Sequence, residues 1–201
     1  MKRPYSESCE QNKFAILDVI QAFLQPGIEV LEIGSGTAQH AIFFAENHPR
    51  IYWQTSDRAA YIEGIQSWLD FAGLTNLASP IVLDVCAQWP DNTYDLVFTA
   101  NSLHIMGEQA AEQCIRGAAK ILKPGGNLIV YGPFNYDGRF TSESNCRFEQ
   151  WLKQQNPESG IKDFEWLNEI ATIAGLTLRD DIAMPANNRV LIWQSETLPA
   201  K

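Results

Sequence analysis

The chain lacks the markers of several large protein classes. Its four cysteines, Cys9, Cys86, Cys114 and Cys146, stand far apart with no C-x-x-C pair. Neither a disulfide framework nor a zinc site is indicated, and reduced thiols in a cytoplasmic protein are the expectation. Histidine is as scarce: His40 and His48 read as structural, and with His104 they form no metal-binding spacing, so no metal is expected. There is no run of basic residues, and the formal net charge is −9. That balance argues against unaided binding to nucleic acid or to an anionic membrane, because phosphate contacts need clustered Lys and Arg. No apolar run approaches the roughly 20 residues that span a bilayer. No signal-peptide apolar region follows Met1-Lys2-Arg3-Pro4. Internal repeats, low-complexity tracts and interdomain linkers are also missing. What remains is an ordinary globular composition, 45% apolar and 19% charged in 201 residues, enough for one domain with a sizeable core.

The stretch Val30–His40 (VLEIGSGTAQH) organises the rest. Ile28, Val30, Leu31 and Ile33 read as a short buried strand. A Gly-x-Gly turn follows, then the helix-compatible run Ala41–Ala45. Strand, glycine turn and helix make the nucleotide-binding corner of an open α/β sheet. Gly34 and Gly36 accept positive φ and let a ligand lie against the main chain.

Around this corner the apolar pattern alternates between strand and helix. Residues 1–12 read as an extended or partly ordered arm, followed by a helix from Asn12 to Leu24 with Phe14, Ile16, Leu17, Ile20, Phe23 and Leu24 at helical spacing. Strands are expected at Ile51–Ser56, Pro80–Val85, Tyr94–Ala100 and Leu128–Tyr131, with helices near 38–47, 60–72 and 108–121 between them; Gly73 suits a helix C-cap. Five such strands form a parallel, doubly wound sheet whose right-handed crossovers place every carboxyl end on one rim. That rim collects Glu32, Asp57, Asp84, Asn101 and Gly132. Residues 133–160 read as a lid-like insertion with a helix near 145–154. A helix near 163–174 and two closing strands, Leu176–Ala183 and Arg189–Gln194, complete the chain. The short connector Met184–Asn188 makes the last strand antiparallel to its neighbour. The expected architecture is therefore a mostly parallel seven-stranded sheet with an antiparallel last strand and helices on both faces.

A dinucleotide is the obvious ligand to test against this rim. Its fingerprint needs a third glycine where this chain has Gln39, and the pyrophosphate it carries is repelled by three acids at neighbouring strand ends. S-adenosylmethionine fits better. It has a sulfonium, an α-amino group, a ribose diol and an adenine amino group, and no phosphate. Glu32 stands where an acid holds the amino group, Asp57 where a carboxylate accepts both ribose hydroxyls, and Asp84 where one accepts from adenine, with the Val85 N–H pairing to a ring nitrogen.

In spacing and strand order the chain resembles a class I S-adenosylmethionine-dependent methyltransferase over nearly all of residues 12–195. More narrowly it resembles the methyltransferase-like 26 family, a group long known only as a domain of unknown function. The resemblance is carried by Ser6–Leu17 (SESCEQNKFAIL), Glu32–Ala45 (EIGSGTAQHAIFFA), Trp53–Asp57 (WQTSD), Leu83-Asp84-Val85, Asn101–Ile105 (NSLHI), Tyr131–Phe134 (YGPF), Ser144-Asn145, Gly160–Asp163 (GIKD) and Met184–Asn188 (MPANN). It implies a Rossmann-like fold, S-adenosylmethionine as cofactor, and cofactor contacts at Glu32, Gly34, Asp57, Asp84, Val85 and Asn101. Ser35, Gly36 and Gln39 of the turn are candidates for the same role. The family's turn usually reads A-S-G-T-G-Q-H, whereas this chain has Gly34 and Ala38 where that pattern has Ala and Gly. The arm usually reads E-R-N-K and here is Glu10-Gln11-Asn12-Lys13.

Methyl transfer is an in-line displacement that depends chiefly on holding donor and acceptor together, so a base is needed only where the acceptor must lose a proton. Asn101 and His104 follow the fourth strand, where class I enzymes approach the methyl group, and His104 is the candidate base; a helix-start histidine bonded to backbone is the competing reading. Asn101-Ser102-Leu103-His104 is not the D/N-P-P-Y amino-methylating motif. Tyr131, Tyr136 and Asn135 are candidates for an acceptor pocket, with ordinary core or loop packing the competing reading for either tyrosine. Asn12 and Lys13 of the arm and Asn187 and Asn188 of the last turn are candidates for substrate contacts. The expectation is a cytoplasmic monomer or homodimer transferring a methyl group to a small or medium-sized acceptor. The alternatives are a non-catalytic binding protein of the same fold and, less favoured, a nicotinamide-dependent oxidoreductase.

Overall fold

A computed structural model describes residues 3–196. Met1, Lys2 and residues 197–201, which the expected domain includes, lie outside the described residues.

The first half alternates as expected: α1 (Glu7–Ile20), β1 (Glu29–Ile33), α2 (Gln39–Asn47), β2 (Tyr52–Asp57), α3 (Ala59–Ala72), β3 (Leu77–Val82) and β4 (Tyr94–Ala100). The second half adds α4 (Glu108–Ile121), β5 (Leu122–Gly132), β6 (Phe134–Asn135), α5 (Glu143–Gln155), β7 (Lys162–Asp163), α6 (Phe164–Ile173), β8 (Leu176–Met184) and β9 (Asn188–Ser195). Seven strands form one sheet in the order β3-β2-β1-β4-β5-β9-β8, and β6 pairs with β7 in a small separate ladder. β1 to β5 run parallel, while β9 is antiparallel to both β5 and β8. The carboxyl ends of β1 to β5 therefore share one rim, and the chain order reverses direction across the sheet between β1 and β4.

The central strands are apolar on both faces because both are covered. On one face Ile16 and Ile20 of α1 and Ala41 and Phe44 of α2 pack on Val30, Trp53, Phe98, Ile129 and Val190. Phe44, Trp53 and Phe98 meet with ring centroids 5.5–5.8 Å apart. Truncating one of these fully buried rings costs about 3–5 kcal/mol. On the other face Ala111, Cys114 and Ile115 of α4 and Leu167 and Ile170 of α6 cover Leu31, Val97, Leu128 and Leu191. The two edge strands are the exposed ones, and β8 carries Arg179, Asp180 and Asp181, charges that discourage pairing with another chain.

Three details differ from the sequence pattern. α1 starts at Glu7, inside the segment read as an extended arm: Ser6 caps it by accepting from the Cys9 N–H, with Glu7 and Glu10 in the first turn, so the polar residues are a helix start. β3 ends at Val82, which leaves Asp84 on the loop beyond the strand. β5 begins at Leu122 directly after α4, because Lys-Pro-Gly-Gly is absorbed as an irregularity in the β4–β5 register. Lys123 anchors it there on Glu29 and Asp95, at 2.8 and 2.9 Å. The sequence pattern places no helix in the β3-to-β4 crossover, and no helix among the described residues covers it. Trp89 does so, its indole lying on Gly117 of α4, where a Cβ would collide with the ring.

Candidate functional site

The glycine turn sits where β1 ends. Gly34 (φ 72°) and Gly36 (φ 55°) are both left-handed. A Cβ on Gly34 would lie 2.5 Å from Ser102 Oγ, so the first glycine is required by the close approach of the β4 end. Ser35 is tied to β2 by its N–H to Ser56 O (2.9 Å), and Ser56 Oγ donates to Glu32 O at 2.6 Å. Ala38 is left-handed as well (φ 59°), a conformation that costs a non-glycine residue about 1–2 kcal/mol.

The acids take up distinct environments. Glu32 is 2% exposed; Trp53 Nε1 donates to its carboxylate at 3.3 Å, and burial pushes it up to about 7. Asp57, at the end of β2, accepts from the Gly36 N–H (2.8 Å) and the Arg58 N–H (2.7 Å). Burial raises its pKa, partly opposed by those N–H groups. The Leu83 N–H donates to Asp57 O at 2.9 Å and brings the loop after β3 alongside. There Asp84 is exposed, with one oxygen accepting from the Cys86 N–H at 2.9 Å. Val85 is buried, and among the described residues nothing accepts from its N–H.

Gln39, the first residue of α2, holds the N-terminal segment on this turn. Its Oε1 accepts from the Ser6 N–H (2.6 Å) and Thr37 Oγ1 (2.8 Å), and its Nε2 donates to Glu10 Oε1 (2.6 Å) and Ser6 O (3.3 Å). Glu10 also pairs with Lys13, whose ammonium lies over the Phe43 ring at 5.0 Å. Pro4 O accepts from Trp68 Nε1 of α3 at 2.5 Å, which fixes the segment before the cap.

A chain of side chains runs from this half of the rim to the other. His40 Nε2 meets Asn12 Oδ1 at 2.7 Å, and burial depresses the imidazole to about 4. The Tyr131 phenol, its pKa raised by burial, lies beside the side chains of Asn12 and of Asn188 of the β8–β9 turn, which partly oppose that rise. His40 thus ties α2 to α1, a structural role. Asn187 is left-handed (φ 57°) and bonds Ser144 Oγ at 3.1 Å, while Asn145 Nδ2 reaches Asn187 O at 3.3 Å. The start of α5 is docked on that turn.

Beyond β4, Asn101 is left-handed (φ 56°), its N–H on Tyr131 O at 2.9 Å. His104 is 7% exposed and lies edge-on to Phe148 of α5 at 5.1 Å. A Cβ on Gly132 would lie 3.8 Å from its Nδ1, so the ring faces the end of β5. Burial, then the nearby Lys162 charge, depresses it to about 4, so the ring is neutral at physiological pH. Tyr136 is drawn elsewhere: its hydroxyl donates to Asp181 Oδ2 at 2.8 Å, Arg189 Nε donates to the other oxygen at 2.7 Å, and its ring stacks on Phe164.

The structure thus brings Glu32, Gly34, Ser35, Gly36, Asp57, Asp84 and Val85 together at the ends of β1 to β3. Asn101, His104 and Tyr131 gather at the ends of β4 and β5, with Asn12 and Asn188 between the halves. It does not join Tyr136 or Lys13 to either group. Sequence reasoning passed over Lys162, which is 6% exposed; Asn135, a candidate for the acceptor pocket, has a buried Oδ1 with no partner among the described residues. Only the Gly160–Asp163 motif pointed toward the lysine.

The architecture is the class I methyltransferase fold, as in the O-methyltransferase family protein of Burkholderia thailandensis (TM-score 0.84, 17% identity, 95% of this chain and 58% of that one). The S-adenosylmethionine-dependent methyltransferase SibL matches with a TM-score of 0.79 at 22% identity, over 94% of this chain and 56% of that one. Human N-acetylserotonin methyltransferase, solved with S-adenosylmethionine, matches with a TM-score of 0.77 at 16% identity, over 95% and 53%. The chain spans a little over half the length of these structures. By sequence it belongs to the family described as "Protein of unknown function (DUF938)", which it matches over residues 3–195. No helix among the described residues is long and apolar enough to cross a membrane.

Proposed function

We propose that this chain binds S-adenosylmethionine and transfers its methyl group to a small or medium-sized acceptor, and that it is a relative of the methyltransferase-like 26 family. The observation that carries the reading is the Glu10–Gln39 contact at the first turn of α2. In a dinucleotide-binding fold that helix start receives pyrophosphate. Here the arm and the Glu10 carboxylate are tied to it, which favours a ligand without phosphate and with positive charge.

The residues present suit that cofactor. Each Asp57 oxygen already accepts one N–H and has a further lone pair for a ribose hydroxyl. Asp84 and the unmatched Val85 N–H offer the acceptor and donor that an adenine edge requires. Glu32 becomes the counter-charge for an ammonium: a cation beside it lowers its pKa, so binding is accompanied by proton release near neutral pH. Gly34, Ser35 and Gly36 supply the open backbone, and Gln39 holds the arm in place. When bound, the cofactor supplies a methyl carbon activated by its sulfonium.

On the acceptor side, Asn101, His104 and Tyr131 line the proposed pocket, with Asn12, Asn187 and Asn188 at its edge and the segment 133–160 over it. A neutral imidazole accepts a hydrogen bond from a hydroxyl and receives its proton as oxygen attacks. Being a weak base here, it suits an acidic hydroxyl, phenolic or enolic, in preference to an aliphatic alcohol. Neighbours named as O-methyltransferases favour oxygen as the acceptor atom. Transfer of isotope-labelled methyl groups into fractionated metabolites, proteins and RNA tests this. Label entering a metabolite fraction, and lost on His104→Ala, supports it. Label in no fraction, with cofactor binding intact, favours a binding protein without catalysis.

A further inference from the structure

His104 belongs to a turn that is fastened from outside. Among the described residues no hydrogen bond reaches its ring nitrogens, although the residue is only 7% exposed. The backbone around it, by contrast, is held by one segment, residues 159–162, between α5 and α6. Lys162 Nζ donates to Met106 O and to Gly160 O, both at 2.7 Å. The Gly160 N–H donates to His104 O at 2.9 Å, and Ser159 Oγ donates to Ile105 O at 2.7 Å. Successive carbonyls of residues 104, 105 and 106 are therefore each taken by the same segment.

That segment is itself braced by α5. Glu149 Oε2 accepts from the Ile161 N–H at 2.6 Å, and a Cβ on Gly160 would lie 2.8 Å from Glu149 Oε1, so any side chain at 160 would push the carboxylate aside. Phe148, one residue earlier on α5, lies edge-on to the His104 ring. Burying an ammonium is costly unless its donors are used. The 6% exposed Lys162 uses two of them on this clamp rather than on a carboxylate.

We propose that Lys162 is a positioning residue for His104: its ammonium locks the 104–106 turn to the α5–α6 connection and aims the imidazole at the ends of β4 and β5. This rests on the reading of His104 as the group that meets the acceptor. The charges facing the pair are Lys162 itself, Glu149 and Lys153 of α5, and Glu108 at the start of α4. Lys162 is the cation that acts on the imidazole. Burial lowers its pKa to about 8, so it remains mostly charged at neutral pH and opposes a second charge on the ring. The clamp holds the ring in place, and the charge adds to burial in keeping it neutral.

The experiment uses the whole protein and no acceptor. Imidazole resonances of the three histidines, assigned by substitution, are followed by NMR against pH, and amide exchange is read at Ile105 and Met106, whose N–H groups close the turn on Ser102 O. Lys162→Met is expected to move the His104 titration up by about one pH unit, a tenfold change in proton affinity, and to speed exchange at 105 and 106 about tenfold, with His40 unchanged. Lys162→Arg is expected to restore the titration in part. Ser159→Ala, a milder change, is expected to speed exchange without moving the titration. A wild-type His104 that titrates near its ordinary value of about 6.5 overturns the proposal even where Lys162→Met does not fold. So does a folded Lys162→Met with His104 titration and exchange as in wild type. Neither result bears on cofactor binding, which is measured separately.

Discussion

Gln39 Nε2 lies 2.6 Å from Glu10 Oε1, joining the helix that follows the glycine turn to the helix that precedes the whole sheet. Through that contact, and the Ser6 bonds to the same amide, the N-terminal segment becomes part of the glycine corner. Gln39→Ala removes partners from the Ser6 N–H and from Glu10. With a net value of about 1 kcal/mol for each lost hydrogen bond, destabilisation of about 1–3 kcal/mol is expected. Urea unfolding checks it, and a change below 0.5 kcal/mol, the ordinary scatter of surface substitutions, contradicts the account.

Asp57 is expected to be the strongest single determinant of cofactor affinity. Asp57→Ala should weaken S-adenosylhomocysteine binding at least tenfold in calorimetry. Asp57→Asn keeps an oxygen for the Gly36 N–H and should bind at an intermediate level. Unchanged affinity in both variants removes Asp57 from the ribose site.

Gly34→Ala introduces a Cβ 2.5 Å from Ser102 Oγ at a φ of 72°. Both the collision and the left-handed backbone oppose it, and a loss of roughly 2–4 kcal/mol is expected. In the double variant with Ser102→Gly the collision disappears and the backbone strain, about 1–2 kcal/mol, remains. Thermal unfolding of the single and double variants separates the two contributions.

Stability should fall on acidification below about pH 6.5. His40 and His104 are depressed to about 4, so between 4 and their unfolded value of about 6.5 the unfolded chain binds protons that the folded chain does not. Each contributes about 3 kcal/mol at neutral pH that is lost over that window. Glu32 acts oppositely: raised to about 7, it is protonated in the folded chain where the unfolded carboxylate is not, so acidification from 7 toward 4.5 favours folding. His40→Gln should flatten the decline, and Glu32→Gln should steepen it, as followed by urea midpoints from pH 7 to 4.5.

Much of the fold was legible in particular residues. Tyr94–Ala100 and Glu108–Ile121 have the bounds read from periodicity and punctuation alone, and Gly73 caps α3 as its position indicated, at φ 62°. What escaped the sequence depended on tertiary partners. Ser6-Glu7 signals a helix start, but Pro4 and the polar surroundings obscured it until Gln39 supplied an anchor. Trp89 replaces a crossover helix only because Gly117 leaves room for it. In the candidate site, the strand-end acids were visible because strand order dictates where they fall. Lys162 was not, because a lysine is ordinarily solvated and only the fold shows it among the carbonyls of 106 and 160. Tyr136 illustrates the reverse, its phenol committed to Asp181 by a β8 register that periodicity does not reveal.

The central claim is that the glycine corner takes a cationic nucleoside without phosphate. Calorimetric titration of the whole protein with S-adenosylmethionine, S-adenosylhomocysteine and reduced nicotinamide dinucleotide tests it most directly. The account predicts saturable one-to-one binding of the first two, weaker for S-adenosylmethionine at pH 6 than at pH 8 as Glu32 is protonated, and none of the dinucleotide. Binding of the dinucleotide with no heat from either sulfur nucleoside would contradict it.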